Sequence, residues 1–168
     1  MAIIGIGCKF PGGIGDPESF WNFVLRKGDA VVDIPKDRWD ADKYYDPDPD
    51  TPGRMYTRRG SFLTQSFRRF DADFFGISHR EAAVLDPQQR LLLETTWEAL
   101  DDAGIAGQAL GGNVGTFIGG FMNDNMISRG LARNLEKINN FAAFSASQTL
   151  LSNRIAHALD FWAVSYTH

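Results

Sequence analysis

The sequence predicts an α/β fold with a parallel sheet, and three observations carry that expectation. Two short apolar runs, Ala2 to Gly7 and Asn113 to Ile118, are each closed by glycine. Helix-start signals follow each of them. The resulting order of strand, helices, strand, helices is what crossover connections between parallel strands produce.

Ala2-Ile3-Ile4-Gly5-Ile6-Gly7 is a short apolar run rich in β-branched isoleucine and ended by glycine, which predicts a buried strand. Phe10-Pro11-Gly12-Gly13 is a turn. Asp16 then supplies an N-cap and Pro17 a first helical residue. The helix carries Phe20, Trp21, Phe23, Val24 and Leu25, and Gly28 is placed to close it. From Val31 to Arg69 periodicity fades, and four of the seven prolines fall there. That composition predicts a long ordered loop region with one short strand near Ser61-Phe62-Leu63. Ser78-His79-Arg80-Glu81 is a capping box, predicting a short helix through Leu85. Asp86-Pro87-Gln88-Gln89 is a second such signal, opening a helix from Pro87 to about Ala103 that Gly104 stops. Leu92, Thr96, Ala99 and Ala103 share one face of it, and Leu93, Trp97 and Leu100 share the next. So wide an apolar arc predicts packing on more than one side. Asn113 to Ile118, ending at Gly119-Gly120, is the second buried strand. A polar helix from about Asn123 to Leu135 and an apolar one from Ser145 to Leu159 complete the order, with the start of a third strand at Val164 to His168.

The chain has 168 residues, 43% hydrophobic and 23% charged, which suits a globular domain or part of a larger one. A formal charge of −4 gives no general attraction to nucleic acid or anionic membrane. One cysteine, Cys8, excludes an internal disulfide framework and a multi-cysteine zinc site. There is no basic n-region, no span-length apolar run and no N-x-[ST] acceptor, so a soluble, reducing, cytoplasmic setting is expected.

Charge is segregated between Val31 and Arg69. Asp37, Asp40, Asp42, Asp46, Asp48 and Asp50 lead, and Arg54, Arg58, Arg59, Arg68 and Arg69 follow with no acid from Thr51 onward. Either the two stretches fold back and neutralise each other, or the arginines face an anionic partner. Gly5-x-Gly7 does not continue into a dinucleotide fingerprint, because Phe10 stands where the third glycine belongs and Pro11 follows. Asp46-x-Asp48-x-Asp50 lacks both the turn glycine and the closing glutamate of a calcium loop. His79, His157 and His168 have no metal-ligand spacing and read as surface or packed histidines. Cys8, beside Lys9, reads as an inert half-buried thiol.

The ordered string of motifs is more specific than any one of them. Ile3-Ile4-Gly5-Ile6-Gly7-Cys8-Lys9-Phe10-Pro11-Gly12-Gly13 is followed by Asp16-Pro17-Glu18-Ser19-Phe20-Trp21, Asp37-Arg38-Trp39-Asp40 and Tyr44-Tyr45-Asp46-Pro47-Asp48-Pro49. Phe70-Asp71-Ala72-Asp73-Phe74-Phe75-Gly76-Ile77-Ser78 leads to Leu85-Asp86-Pro87-Gln88-Gln89-Arg90 and then Thr95-Thr96-Trp97-Glu98-Ala99-Leu100. Val114-Gly115-Thr116-Phe117-Ile118-Gly119 and Leu151-Ser152-Asn153-Arg154-Ile155 close the series. From Ala2 to about Trp162 this resembles the start of the β-ketoacyl synthase (ketosynthase) domain of type I polyketide synthases and animal-type fatty acid synthases.

The resemblance implies a thiolase-like fold, of which the chain would form an incomplete N-terminal half, with layered helices around a mostly parallel sheet. Residues 1–162 would be a partial ketosynthase N-terminal domain and 163–168 a divergent tail. There Ala163 and Val164 stand where the family has Gly and Pro, and Tyr166 and His168 replace small apolar residues. The family works as a homodimer. A cysteine takes an acyl group from the phosphopantetheine of an acyl carrier protein, and two histidines assist condensation with a malonyl-type extender. The family's nucleophile motif, Asp-Thr-Ala-Cys-Ser-Ser, is not among these residues, and Cys8 does not match it. No residue therefore inherits a catalytic role, no metal or directly bound cofactor is implied, and the chain alone is expected to be inactive. The alternative is a truncated, non-enzymatic product or an interaction module. Phe121 and Met122, just past the second strand, are the candidate substrate-binding residues bordering an acyl tunnel, the alternative being that they pack in the core. Nucleic-acid and membrane partners are not expected.

Overall fold

A computed structural model describes residues 2–66, 68–107, 113–125, 127, 147–161 and 165–167. The chain divides into two compact units. One holds residues 8–66, and the other joins residues 1–7 to residues 67–168.

The unit of residues 8–66 opens with the bridge between Phe10 and Ile14 and then α1 (Pro17–Leu25). Asp16 accepts the Ser19 N–H at 2.7 Å, and the Ser19 hydroxyl accepts the Asp16 N–H at 3.2 Å. This closes a reciprocal capping box whose third residue is serine rather than the usual acid or amide. At the other end Lys27 donates to Val24 O and Gly28 to Phe23 O, each at 2.9 Å, the paired bonds of a Schellman motif. The left-handed residue is Lys27, at φ 53°, not the glycine after it. Gly28 is there for room, since a Cβ would stand 2.6 Å from the Phe23 ring.

Strand β1 (Val31–Asp33) pairs antiparallel with β2 (Arg59–Ser61), Val31 opposite Ser61 and Asp33 opposite Arg59. The expected strand at Ser61-Phe62-Leu63 thus begins two residues earlier. Phe62 leaves the ribbon to set its ring edge-on to Trp39 at 5.8 Å, and the pairing extends the other way through Ile34 N–H to Arg58 O. Between the strands lies the single turn α2 (Ala41–Tyr44), capped by Asp40. The acidic and basic stretches do fold back on each other. Arg58 meets Asp42 at 3.1 Å and lies 3.9 Å from the Tyr45 ring centre. Arg59 meets Asp33 at 3.8 Å and donates to Val31 O at 2.7 Å. Asp46 and Asp48 turn their carboxylates onto the N–H groups of Asp48 and Asp50, each at 3.0 Å, so the alternating aspartates are consecutive Asx turns.

The second unit contains α3 (His79–Ala82), α4 (Pro87–Asp102), β3 (Thr116–Ile118), α5 (Leu150–Ala158) and β4 (Ser165–Thr167). Strands β3 and β4 are parallel, Thr116 opposite Ser165 and Ile118 opposite Thr167, with α5 as the connecting helix packed on both. This is the βαβ arrangement the element order predicts. Helix α4 packs on α5. The core between them is Leu85, Leu93, Ile155, Leu159 and Phe161, joined by Ala72, Phe75 and Ile77. Phe74 stands edge-on to both Phe75 and Trp97. Helices α4 and α5 each end in a Schellman motif, with Gly104 at φ 69° and Asp160 at φ 52° in the left-handed position.

Two helix starts differ in detail from expectation. Ser78 caps the Glu81 N–H at 3.2 Å, but the Glu81 carboxylate does not reach back to complete a box. It pairs instead with Arg154 of α5 at 2.5 Å. Asp86 caps the N–H of Gln88 at 2.8 Å, one residue earlier than the box spacing suggests. Helix α5 begins at Leu150 rather than Ser145. Tight turns precede it, Leu150 N–H to Ser147 O and Leu151 N–H to Gln148 O, and Ser145 itself lies outside the described residues. The polar helix expected from Asn123 to Leu135 falls almost wholly outside them too.

The larger correction concerns Ala2–Gly7. It is neither a strand nor buried: no ladder partner is found for it among the described residues, and Ile3 is 84% exposed. The segment lies extended along α4. Ile6 N–H donates to the Asp102 carboxylate at 2.9 Å, and a Cβ on Gly5 or Gly7 would collide with the carbonyl oxygen of Ala99 or Thr95. The two glycines that imitate a cofactor fingerprint are thus explained by close approach to a helix backbone. This contact also accounts for the second apolar side of α4, where Ala99 and Ala103 sit.

Candidate functional site

The C-terminal end of β3 is where a parallel βαβ unit offers a ligand its exposed backbone. The chain leaves β3 through Gly119 and Gly120. The Gly120 backbone lies against α5, because a Cβ there would stand 2.5 Å from Leu151 Cδ1. Phe121 follows with 87% of its surface exposed, and Met122 is half-exposed. Neither is a core residue of this structure. The Met122 carbonyl accepts a hydrogen bond from Gln88 Nε2 of α4 at 3.0 Å. The segment is therefore held from two helices while its large apolar side chains face outward. An exposed phenylalanine beside a half-exposed methionine offers an adaptable apolar surface with no ionisable group of its own.

Phe121 and Met122 are the residues the sequence points to, whereas Gln88 has only a capping role there. Its side-chain amide acts across 34 residues, and nothing in a helix with several polar residues singles this one out in the sequence. The same holds for Glu81, assigned to a cap and found in an interhelical ion pair with side chains only 15% and 23% exposed for Arg154 and Glu81.

Each unit has a cavity lined by described residues. One, of about 620 Å³, lies between α5 and the Phe75–Ile77 turn and is lined by Leu150, Asn153, Arg154 and His157. The other, of about 730 Å³, is lined by Asp33, Trp39, Asp42 and Arg58, the residues of the local charge pairing. His157 is exposed at the first cavity, and exposed His79 stands 3.6 Å from Asp73. His168 lies outside the described residues. Cys8 is a buried thiol, 7% exposed, and as the chain's one cysteine forms no internal disulfide. No group of three metal-ligating side chains occurs among the described residues. No described helix is long and apolar enough to cross a membrane.

Residues 1–168 match the family model described as "Beta-ketoacyl synthase, N-terminal domain". The chain is 45% identical over 161 residues to the pikromycin polyketide synthase component PikAIII of Streptomyces venezuelae, covering 95% of this chain and 10% of that protein. It is 46% identical over 159 residues to the erythronolide synthase EryA2 of Saccharopolyspora erythraea, covering 94% of this chain and 4% of that one. Among solved structures, an oxazolomycin ketosynthase domain from Streptomyces albus superposes with a TM-score of 0.82 at 32% identity, over 98% of this chain and 29% of that one. A ketosynthase from module 6 of the bacillaene synthase of Bacillus subtilis gives 0.77 at 27% identity, over 99% and 26%. The chain thus spans a tenth or less of these polyketide synthases and under a third of the solved ketosynthases. Its fold is that of the N-terminal part of these thiolase-like domains, and the chain belongs to the β-ketoacyl synthase family.

Proposed function

We propose that the chain contributes the N-terminal part of a ketosynthase that condenses acyl thioesters with malonyl-type extenders in polyketide or fatty acid biosynthesis. The acyl groups would arrive on the phosphopantetheine of an acyl carrier protein, the whole enzyme would act as a cytoplasmic homodimer, and no cofactor would be bound directly. Residues 1–162 carry the ketosynthase character in this reading, and 163–168 form a divergent tail. The observation that carries it is the match to polyketide synthases at 45–46% identity over nearly the whole chain.

Phe121 and Met122 border the acyl pocket in this reading. Their exposure at the end of β3, with backbone fixed and side chains free, supports it. In the whole enzyme, Met122→Ala would shift the preferred acyl length, and an unchanged profile would refute the assignment.

The 168 residues by themselves have no condensing activity in this reading. Acyl transfer through an enzyme thioester needs an accessible thiolate. The one thiol here is buried. The test is incubation with acyl-loaded carrier protein followed by intact mass. No stable adduct is expected, and an acyl group on Cys8 that turns over with malonyl carrier would overturn the proposal.

A further inference from the structure

We infer that Gln88 is the positioning residue for the surface formed by Phe121 and Met122, its amide tying the backbone at Met122 to the start of α4. The inference rests on the reading of those two residues as acyl-pocket residues, and deepens it.

Gln88 is the second residue of α4, and its backbone N–H donates to Asp86 Oδ1 at 2.8 Å. Its side-chain Nε2 lies 3.4 Å from that same oxygen and donates to the Met122 carbonyl at 3.0 Å. A primary amide has two N–H groups, so one nitrogen serves both acceptors. The flipped amide would set Oε1 against a carboxylate and a carbonyl, with no donor for either, so the chemistry of the two acceptors fixes which end of the amide faces them. Asp86 is itself buried, so the near end of the amide is held from the protein side, while the bond to Met122 is open to solvent. The side chain of Gln88 does not serve the core, being part-exposed and outside the buried cluster.

At its other end the segment passes close to α5, where the Gly120 backbone lies against Leu151. Phe121 therefore projects from a short span packed against α5 on one side and hydrogen-bonded to α4 on the other. Releasing the Gln88 anchor removes the hydrogen bond that ties the Met122 backbone to α4, and the direction in which both side chains point is set less firmly.

The discriminating variant is Gln88→Glu. It has the same size and keeps the backbone N–H that Asp86 caps. An acid in the first turn suits the helix dipole, which opposes its repulsion from Asp86, and exchange over α4 in the same experiment reports whether the helix itself is weakened. What it loses is the donor, because a carboxylate now faces two acceptors. Gln88→Lys supplies donors again. In the 168-residue chain, hydrogen exchange over Gly119–Asn123 is expected to rise about tenfold in Gln88→Glu and to stay within about twofold of the parent in Gln88→Lys. Unchanged exchange in Gln88→Glu would overturn the inference. In a condensing protein carrying this chain, Gln88→Glu is expected to move the ratio of long-chain to short-chain kcat/KM in the same direction as Met122→Ala, with Gln88→Lys restoring it. A shift with Met122→Ala but none with Gln88→Glu would remove the positioning role and leave the pocket reading intact. No shift with either Phe121→Ala or Met122→Ala would remove the pocket reading, and the inference with it.

Discussion

Residues 8–66 and the rest of the chain are held together by different means. In the first unit the buried apolar side chains are Cys8 and Ile14, and nearly everything else is cap, turn, ribbon or ion pair. In the second, Leu85, Leu93, Ile155 and Leu159 are almost fully enclosed and touch one another. Apolar burial is the larger contributor per side chain, about 1.5–3 kcal/mol each, against about 0–1 kcal/mol for an exposed ion pair. The difference predicts that one unit responds to cavities and the other to changes in its turns and charges. Exchange resolved by segment is the right measurement, because a single global midpoint would merge the two.

The largest expected effect is therefore Leu93→Ala. Leu93 is 0% exposed at the centre of the α4–α5 core, and its truncation is expected to cost about 2–5 kcal/mol. Trp21→Ala in exposed α1 is expected to stay within about 0.5 kcal/mol despite the larger side chain. Denaturant midpoints for the two variants test the contrast. It breaks if Trp21→Ala proves as costly as Leu93→Ala, which would mean that α1 has a partner the structure does not show.

Gly7→Ala comes next. The added methyl meets the Thr95 carbonyl of α4, an obstacle made of helix backbone that does not yield as a side-chain tip would. Overpacking of this kind costs about 1–3 kcal/mol. The readout is faster exchange over α4 with no change in residues 8–66. A neutral Gly7→Ala would show that the segment before Cys8 is not seated on α4.

That pair of glycines also shows where the sequence was legible and where it was not. Helix starts at Pro17, His79 and Pro87 could be read because capping chemistry is local: the donor, the acceptor and the proline lie within four residues. The βαβ order of the second unit was readable from glycine-closed apolar runs and the Leu150–Leu159 spacing, but the expected buried strand Asn113–Ile118 is shorter, beginning at Thr116, and its Phe117 is 73% exposed. Ala2–Gly7 has the composition of a strand, but strand formation depends on a partner, and composition says nothing about which surface the run will meet. The partner here is a helix, 96 residues away at Asp102. Gln88 and Glu81 went unread in the same way. Both sit where capping explains a polar residue, and nothing local shows that their side chains serve distant groups. Phe121 and Met122 were placed through family resemblance together with the glycines before them, and their own side chains gave no signal.

Charge separates the units more gently. Glu81 and Arg154 form a part-buried pair, so Glu81→Gln leaves a guanidinium poorly compensated and is expected to cost about 1–3 kcal/mol. Asp42→Asn removes the partner of exposed Arg58, which retains its contact with the Tyr45 ring, and is expected to cost under about 1 kcal/mol. High salt should erase the second effect and leave most of the first, since screening acts on the exposed pair. Equal salt sensitivity in urea unfolding would show that both pairs are solvated alike.

The smallest expected effects lie at the helix ends, where the two units can be compared with the same chemistry. Helices α1, α4 and α5 all close with the same pair of bonds, but the left-handed position holds Lys27, Gly104 and Asp160 respectively. A side chain in that conformation costs roughly 1–2 kcal/mol, and glycine gives part of this back through greater freedom in the unfolded chain. Lys27→Gly and Asp160→Gly are each expected to stabilise by about 0.5–1 kcal/mol, with Asp160 at the lower end because aspartate tolerates the left-handed region better than lysine. Gly104→Ala is expected to destabilise by a similar amount. In Lys27→Gly the gain should appear as slower exchange confined to α1 and the ribbon after it. In Asp160→Gly it should spread through the α4–α5 core, because the end of α5 leads directly into buried Phe161. If Lys27→Gly slows exchange in α4 and α5 as strongly as in α1, the two units unfold as one and the contrast drawn between them fails.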